Sequence, residues 1–127
     1  RGVAGVVTDG GFRDSAEIAN LGFPAYHHRP SAPTNLTLHQ AIEINGPIGC
    51  GDAPVFPGDV ILGDQDGVIV IPAHLADEIA DEATEMTAFE DFVTEQVNGG
   101  RSIFGLYPAT DEQTLAEFAA WRKANGR

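Results

Sequence analysis

The sequence has little that could tie the protein to a membrane, to nucleic acid or to a disulfide framework. No run approaches the roughly eighteen apolar residues of a membrane span, and no secretory pattern opens the chain. The single cysteine, Cys50, cannot form an intrachain disulfide and has no Cys or His at zinc-site spacing. Only 7 Lys+Arg stand against 19 Asp+Glu, and a net charge of −12 repels phosphate backbones. We therefore predict a cytoplasmic protein that binds a protein or a small molecule, with no nucleic-acid or membrane partner.

The length and composition fit one globular core. With 127 residues and 43% hydrophobic content, the chain is long enough for one core and too short for two typical domains. We expect a single domain over residues 1–127. The chain opens at Arg1 and enters a strand-like run at once, which is typical of part of a longer polypeptide.

The first half of the chain has the pattern of strands joined by turns. A buried-looking run at Val3–Val7, a glycine-rich turn at Gly10 and Gly11, a helix near Ser15–Leu21 and a strand near Pro24–His27 predict a βαβ unit. Alternating apolar and polar residues predict a half-buried strand from Leu36 to Asn45. Farther on, Val60–Gly63 and Val68–Ile71 flank a turn at Asp66-Gly67 and predict a β-hairpin.

The second half has the pattern of two helices, near residues 73–98 and 111–125. The apolar stripe of the first comprises Leu75, Ile79, Ala83, Met86, Val93 and Val97, and that of the second comprises Leu115, Phe118, Ala119 and Trp121. Glu90 interrupts the first stripe. It either lies in water at the helix edge or meets a partner, because burying an unpaired charge would cost several kcal/mol.

Arg13 and Asp14 place a fixed cation beside a carboxylate. Arg13 offers a planar fork for a carboxylate, and Asp14 offers a hard oxygen for a metal. Gly10 and Gly11 can take backbone conformations closed to other residues and let a ligand approach the main chain. In the alternative interpretation, Asp14 caps the helix with Glu17 completing a capping box, and Arg13 is a solvated charge. The pair alone leaves both interpretations open.

Other polar residues give weaker signals. His27 and His28 end a short strand and could line a pocket, but adjacent residues of a strand face opposite ways and cannot readily hold one metal. His39 and His74 fit structural or solvated positions. The acidic residues Asp59, Asp64 and Asp66 are interpreted as turn formers, since their spacing fits no calcium loop.

Four motifs, in the same order along the chain, resemble those of the RraA-like family: Gly5-Val-Val-Thr-Asp-Gly-Gly-Phe-Arg-Asp14, Leu21-Gly-Phe-Pro24, Pro57-Gly-Asp59 and Asp64-Gln-Asp-Gly-Val-Ile-Val-Ile-Pro72. That family includes the 4-hydroxy-4-methyl-2-oxoglutarate and 4-carboxy-4-hydroxy-2-oxoadipate aldolases and the regulators of ribonuclease activity. The resemblance implies an α/β fold, namely a three-layer β/β/α swivelling-type domain, in homotrimers or homohexamers with active sites between subunits. It also implies a preceding half that supplies a glycine-rich loop and an acidic residue, so these residues would be the C-terminal portion of a longer chain.

The resemblance also implies roles for individual residues. Arg13 matches the substrate-binding arginine of the family, and Asp14 matches its divalent-metal ligand, for Mg²⁺ or Mn²⁺. Glu90 resembles the helix glutamate that reaches a neighbouring subunit's metal through water. The catalytic set would be Arg13, Asp14 and Glu90, with Gly10 and Gly11 beside the bound substrate.

The implied activity is that of a metal-dependent class II aldolase that cleaves 4-hydroxy-2-oxo acids to pyruvate. Oxaloacetate decarboxylation passes through the same pyruvate enolate and is expected as a side activity. Lys123 lies far down the chain from Arg13, so there is no local candidate for a Schiff base. The alternative is a regulator that binds an RNA-degrading enzyme, because such members share the Arg-Asp pair. A phosphohistidine domain is disfavoured, since Arg13 stands where its histidine would be.

Overall fold

The computed structural model describes residues 2–34 and 39–127, in two compact units that comprise residues 1–76 and 77–127. The elements of the first unit are β1 (Val6–Phe12), α1 (Ser15–Ala19), β2 (Ala25–Pro30), β3 (Ile48–Cys50), β4 (Ala53–Val55), β5 (Val60–Gly63) and β6 (Val68–Ile71). A short 3₁₀ turn, Ala73–Leu75, precedes α2 (Ala76–Asn98), and α3 (Glu112–Asn125) completes the second unit. The fold is therefore mixed α/β, with its strands in the first unit and its long helices in the second.

The predicted βαβ unit is confirmed, because β1 and β2 pair in parallel on either side of α1. The predicted turn at Gly10 and Gly11 is wrong, since both glycines lie within β1. Gly11 pairs with Arg29 of β2, and a Cβ on Gly11 would lie 2.9 Å from the Arg29 carbonyl oxygen. Gly11 is thus required by the close approach of two strands, and the chain turns only at Arg13 and Asp14.

Two antiparallel hairpins follow. The predicted pairing of β5 with β6 is confirmed, with Val60 opposite Ile71 and Gly63 opposite Val68. Its turn depends on Asp64, whose Oδ1 accepts hydrogen bonds from the N–H groups of Asp66 (2.8 Å) and Gly67 (3.2 Å). The hairpin of β3 with β4 was not predicted from the sequence.

The strand predicted at Leu36–Asn45 is not found where the structure can test it. Leu36, Thr37 and Leu38 lie outside the described residues, and His39 to Asn45 form no regular element. Ile42 and Ile44 are 94% and 93% exposed. Alternation of residue type predicts a strand only where a neighbouring strand supplies the hydrogen-bond ladder, and none of the described strands pairs with this segment.

The second unit contains a closed aromatic core. Phe92, Val93 and Leu106 are buried, and Phe89, Phe118 and Trp121 pack around them. The predicted apolar stripe of α2 is therefore partly wrong. Met86 is 57% and Val97 38% exposed. The buried face of α2 includes Ala88 and Phe92, which the predicted stripe left out.

The ends of α3 are fixed by side-chain and backbone caps. The Asp111 carboxylate accepts hydrogen bonds from the N–H of Thr114 (2.7 Å) and from its hydroxyl (2.8 Å), and Gly126 closes the helix at φ 68°. Thr114 is fully buried, and its hydroxyl oxygen also accepts a hydrogen bond from Arg101 (3.1 Å), which pairs with Glu117.

Among the described residues, no helix has the length and apolar character needed to cross a membrane.

Candidate functional site

Arg13 and Asp14 lie directly after β1, between that strand and α1. Arg13 Nε is 3.5 Å from Asp14 Oδ1, and the two side chains are 57% and 65% exposed. An exposed pair of this kind contributes at most about 1 kcal/mol to stability. Both charged groups thus remain accessible to a ligand.

The capping-box interpretation of Asp14 is wrong. Asp14 occupies the N-cap position of α1, but its side chain makes no capping hydrogen bond. Its backbone is left-handed, with φ 59° and ψ 30°. That conformation costs residues other than glycine roughly 1–2 kcal/mol, although Asp and Asn tolerate it better than most. The strained backbone directs Asp14 away from a capping role and leaves its carboxylate available.

A bulge in β1 precedes the pair. The register with β2 shifts between Thr8 and Gly11, so Asp9 and Gly10 have no regular partners in the ladder. The Gly10 N–H donates instead to Thr8 Oγ1 at 3.0 Å. Bulges of this kind occur often beside active sites, where they redirect the strand that carries functional groups.

Asp9 is a residue that the sequence interpretation overlooked. Its Oδ2 accepts a hydrogen bond from the Gly51 N–H at 3.0 Å, which connects the bulge to the turn between β3 and β4. The available signal was a carboxylate within an otherwise apolar and glycine-rich strand. The turn that supplies the donor, Gly51, could not be recognised, because the β3–β4 hairpin itself was not predicted.

His27 lies across from the bulge, opposite Thr8 in the β1–β2 register. Its ring is 4.9 Å from that of Phe12, and its Nδ1 is buried without a hydrogen-bond partner among the described residues. His28 is exposed, as expected for neighbours on opposite faces of a strand. His27 is therefore the histidine that packs against β1, whereas His39 and His74 are exposed.

Glu90 lies on the exposed side of α2, in the second unit. Its side chain makes no hydrogen bond or ion pair within the described residues, while the adjacent Asp91 pairs with Arg127. Since the buried line of α2 runs through Phe92, Glu90 does not interrupt the core as the sequence pattern suggested.

Asp14 is the acidic side chain available to a divalent cation beside Arg13. The described part of the chain contains no cluster of three or more His, Cys, Asp or Glu side chains that could hold a metal. A single carboxylate is nonetheless compatible with Mg²⁺, which is commonly held by one or two carboxylates together with water and substrate oxygens. The turn interpretation of the acidic trio is supported for Asp59 and Asp64, because both carboxylates accept backbone hydrogen bonds.

Residues 1–70 match the model of the family described as RraA-like, Aldolase/RraA. A putative 4-hydroxy-4-methyl-2-oxoglutarate aldolase from Halalkalibacterium halodurans is 36% identical over 90 residues, which cover 71% of this chain and 42% of that protein. The chain spans about half the length of the curated relatives it matches.

Solved structures show the same fold. An uncharacterised protein from Pseudomonas syringae pv. tomato superposes with a TM-score of 0.77 at 24% identity, over 81% of this chain and 52% of that one. Streptomyces coelicolor RraAS2, described as an unusual member of the RNase ES inhibitor RraA protein family, gives a TM-score of 0.53 at 23% identity, over 76% of this chain and 58% of that one. These similarities place the fold of this chain among RraA-like proteins.

Proposed function

The chain belongs to the RraA-like family. We propose that it is part of a divalent-metal-dependent carbon–carbon lyase that cleaves 4-hydroxy-2-oxo acids to pyruvate. The observation that carries the proposal is the exposed Arg13–Asp14 pair after a bulged strand, with Asp14 in a strained backbone conformation and free of any capping role. The 36% identity to a putative aldolase supports the reaction class.

In this proposal Arg13 binds the substrate and offsets charge during cleavage. Its guanidinium is exposed and paired only loosely with Asp14, so it can form a bidentate contact with a 2-oxo acid carboxylate. As the C3–C4 bond breaks, the 4-hydroxyl group loses its proton and becomes the carbonyl of the departing fragment, and the bonding electrons stay on the other fragment as an enolate. A fixed positive charge nearby lowers the barrier, and protonation of the enolate at C3 then gives pyruvate. Decarboxylation of oxaloacetate leaves the same enolate, so one site would support both reactions.

Asp14 would be the protein's direct ligand to Mg²⁺ or Mn²⁺ in this segment. Lewis-acid polarisation of the substrate's carboxylate and carbonyl oxygens is the chemistry that such a cation supplies when bound. We propose that the substrate contacts the backbone at Gly10 and Gly11, on the side of Gly11 that faces away from Arg29. Glu90 is assigned, as a proposal, to a water-mediated contact with the site of a neighbouring subunit in a homotrimer or homohexamer.

The test is the release of pyruvate from oxaloacetate and from 4-hydroxy-4-methyl-2-oxoglutarate by the complete protein, titrated with Mg²⁺ and Mn²⁺. Asp14→Asn is the informative variant, because Asn also tolerates the left-handed backbone while removing the charge. We expect turnover to fall roughly 10²–10³-fold, as for loss of a group that stabilises developing charge. We also expect half-maximal turnover to require a higher metal concentration. Asp52→Asn, an exposed carboxylate in the β3–β4 turn, is the matched control and should leave turnover unchanged.

Full turnover in Asp14→Asn at every metal concentration would refute the assignment of Asp14. The alternative function, a regulator that binds an RNA-degrading enzyme, predicts that the native protein releases no pyruvate with either metal. It is kept because the Arg-Asp pair alone does not distinguish the two functions.

A further inference from the structure

A cavity of about 370 Å³ lies in the second unit, bordered by α2 and by the C-terminal end of α3. Its walls comprise Ala83, Thr84, Thr87, Ala88, Arg122 and Arg127. Small-molecule sites begin at roughly 300 Å³, so the cavity is large enough for a small ligand. Two of the seven Lys and Arg residues of a strongly acidic chain thus line one cavity, and none of its lining residues is a carboxylate.

The Arg122 guanidinium is held in place by two neighbours. Its Nη1 donates a hydrogen bond to Glu85 Oε2 at 2.6 Å, and its central carbon lies 5.8 Å from the centre of the Phe118 ring. Its Nε is buried and has no hydrogen-bond partner among the described residues. A buried N–H group without an acceptor is destabilising, so we expect an oxygen atom to bind there.

Arg127 and Thr87 add donors to the same cavity. Arg127 pairs with Asp91 through Nη1, and its other guanidinium nitrogens have no partner among the described residues. The Thr87 hydroxyl also makes no hydrogen bond within the described part of the chain, whereas that of Thr84 donates to the Ala80 carbonyl oxygen at 2.8 Å. The cavity therefore combines unused N–H and O–H donors from three side chains.

The number of these donors indicates which anion they suit. One guanidinium is enough to bind both oxygens of a planar carboxylate. Two guanidiniums and a hydroxyl suit an anion with more acceptors, and a phosphate group offers three oxygens and a charge of about −1.5 to −2 at pH 7. We propose that this cavity binds a phosphate group, either as inorganic phosphate or as part of a small phosphorylated molecule.

The surrounding charges limit the affinity of the site. Glu85 and Asp91 each neutralise part of one guanidinium, although both ion pairs are partly exposed and therefore weak. The net charge of −12 also opposes the approach of an anion. We therefore expect a Kd on the order of 1 mM in dilute buffer, rising with added salt.

The experiment is to titrate the complete protein with inorganic phosphate and with glycerol 3-phosphate at constant ionic strength. Binding is followed by NMR, through the arginine Nε–H signals and the backbone amide signals of α2. We expect a saturable shift of the Arg122 Nε–H signal, and acetate should bind at least about fivefold more weakly because it has fewer acceptors. Tighter binding of glycerol 3-phosphate would identify the ligand as a phosphorylated organic molecule, and equal binding would identify the phosphate group as the whole ligand.

Three variants test the assigned donors. Arg122→Lys keeps the charge but removes the Nε–H group, and Arg127→Gln removes the second guanidinium. Thr87 is exposed, so Thr87→Val should fold even if a change at Arg122 does not. Each variant should weaken phosphate binding at least about threefold, as for loss of one hydrogen bond to a charged group.

The control is Lys123→Gln, because Lys123 follows Arg122 in α3 but does not line the cavity. It removes the same charge as Arg127→Gln and should change the Kd less than about twofold, since exposed charges are screened. Three outcomes would overturn the proposal: no saturable shift, acetate bound as tightly as phosphate, or equal weakening by Arg127→Gln and Lys123→Gln. The last would identify an adventitious ion only. These are binding measurements, so their outcome does not depend on the proposed lyase activity.

Discussion

Residues 77–127 enclose a core of their own, whereas the described part of residues 1–76 buries no residue fully. In the second unit, Phe92 is 2% and Leu106 1% exposed, with aromatic rings packed around them. In the first unit, the apolar faces of three small sheets remain open around a cavity of about 940 Å³. Yet the family match and the Arg13–Asp14 pair both lie in the first unit. The candidate site and the closed core therefore belong to different parts of the chain.

The largest effect is expected from opening the core of the second unit. Phe92→Ala removes a ring whose centroid lies 5.6 Å from that of Phe118 and 5.9 Å from that of Trp121. We expect a loss of about 3–5 kcal/mol in the free energy of unfolding, followed by the fluorescence of the single tryptophan, Trp121. Phe104→Ala is the matched control, since Phe104 is 91% exposed and its removal should change stability by less than about 0.5 kcal/mol. Equal effects of the two changes would contradict the described core.

The next largest effect tests the proposed role of Glu90 at the site of a neighbouring subunit. If Glu90 holds a metal-bound water for a neighbouring subunit, Glu90→Gln should lower turnover roughly 10²-fold with assembly intact. Glu82→Gln, another exposed glutamate of α2, should have no effect.

Mixing Glu90→Gln protein with Asp14→Asn protein sharpens this test. Re-formed mixed oligomers should regain part of the activity, because a site with both groups intact then arises where two different subunits meet. Absence of recovery after verified subunit exchange would mean that Glu90 does not serve a neighbour's site.

A smaller effect is expected at the buried polar contact of the second unit. Thr114→Val keeps the shape of the side chain but leaves Asp111 and Arg101 each without one hydrogen bond. We expect a loss of about 1–3 kcal/mol in unfolding free energy, as for a buried polar contact left incomplete. Thr94→Val, at an exposed position of α2, should be nearly neutral. If the two changes cost the same, the Thr114 hydroxyl has no special part in fixing α3.

The smallest expected effect is a loss of stability of the second unit at low pH. The Thr114 backbone N–H, followed by its hydroxyl, holds the pKa of Asp111 below its ordinary 3.8. Gln113, followed by Arg101, holds the pKa of Glu117 below its ordinary 4.5. Because these folded pKa values are lowered, the stabilisation is present above the ordinary values and is lost as the pH falls through the folded ones.

Urea unfolding followed at Trp121 should therefore show a declining midpoint from about pH 5 to about pH 3. The double variant Asp111→Asn with Glu117→Gln should show a shallower decline. Glu82→Gln should follow the native curve. A double variant with the native slope would assign the acid sensitivity to other carboxylates.

Prediction from sequence succeeded where short-range rules decide the structure. The β5–β6 hairpin follows from two β-branched runs around an Asp-Gly turn, and the βαβ unit follows from its strand, helix and strand pattern. It failed where pairing between distant segments decides. Gly10 and Gly11 indicated a turn, but Gly11 pairs with Arg29 of β2, and Gly10 lies in the bulge of the same strand. Spacing along α2 placed Met86 in the core, although the ring contacts of Phe92 with Phe118 and Trp121 select the buried face.

By itself the sequence determined the family motifs, the acidic character of the chain and the adjacency of Arg13 and Asp14, because residue types and their spacing are properties of the chain alone. Only the tertiary structure decided that Asp14 adopts a left-handed backbone without capping α1, that Asp9 binds the β3–β4 turn, and that Glu90 lies outside the core. The physical reason is that burial, register and backbone strain depend on which distant segment lies opposite each residue.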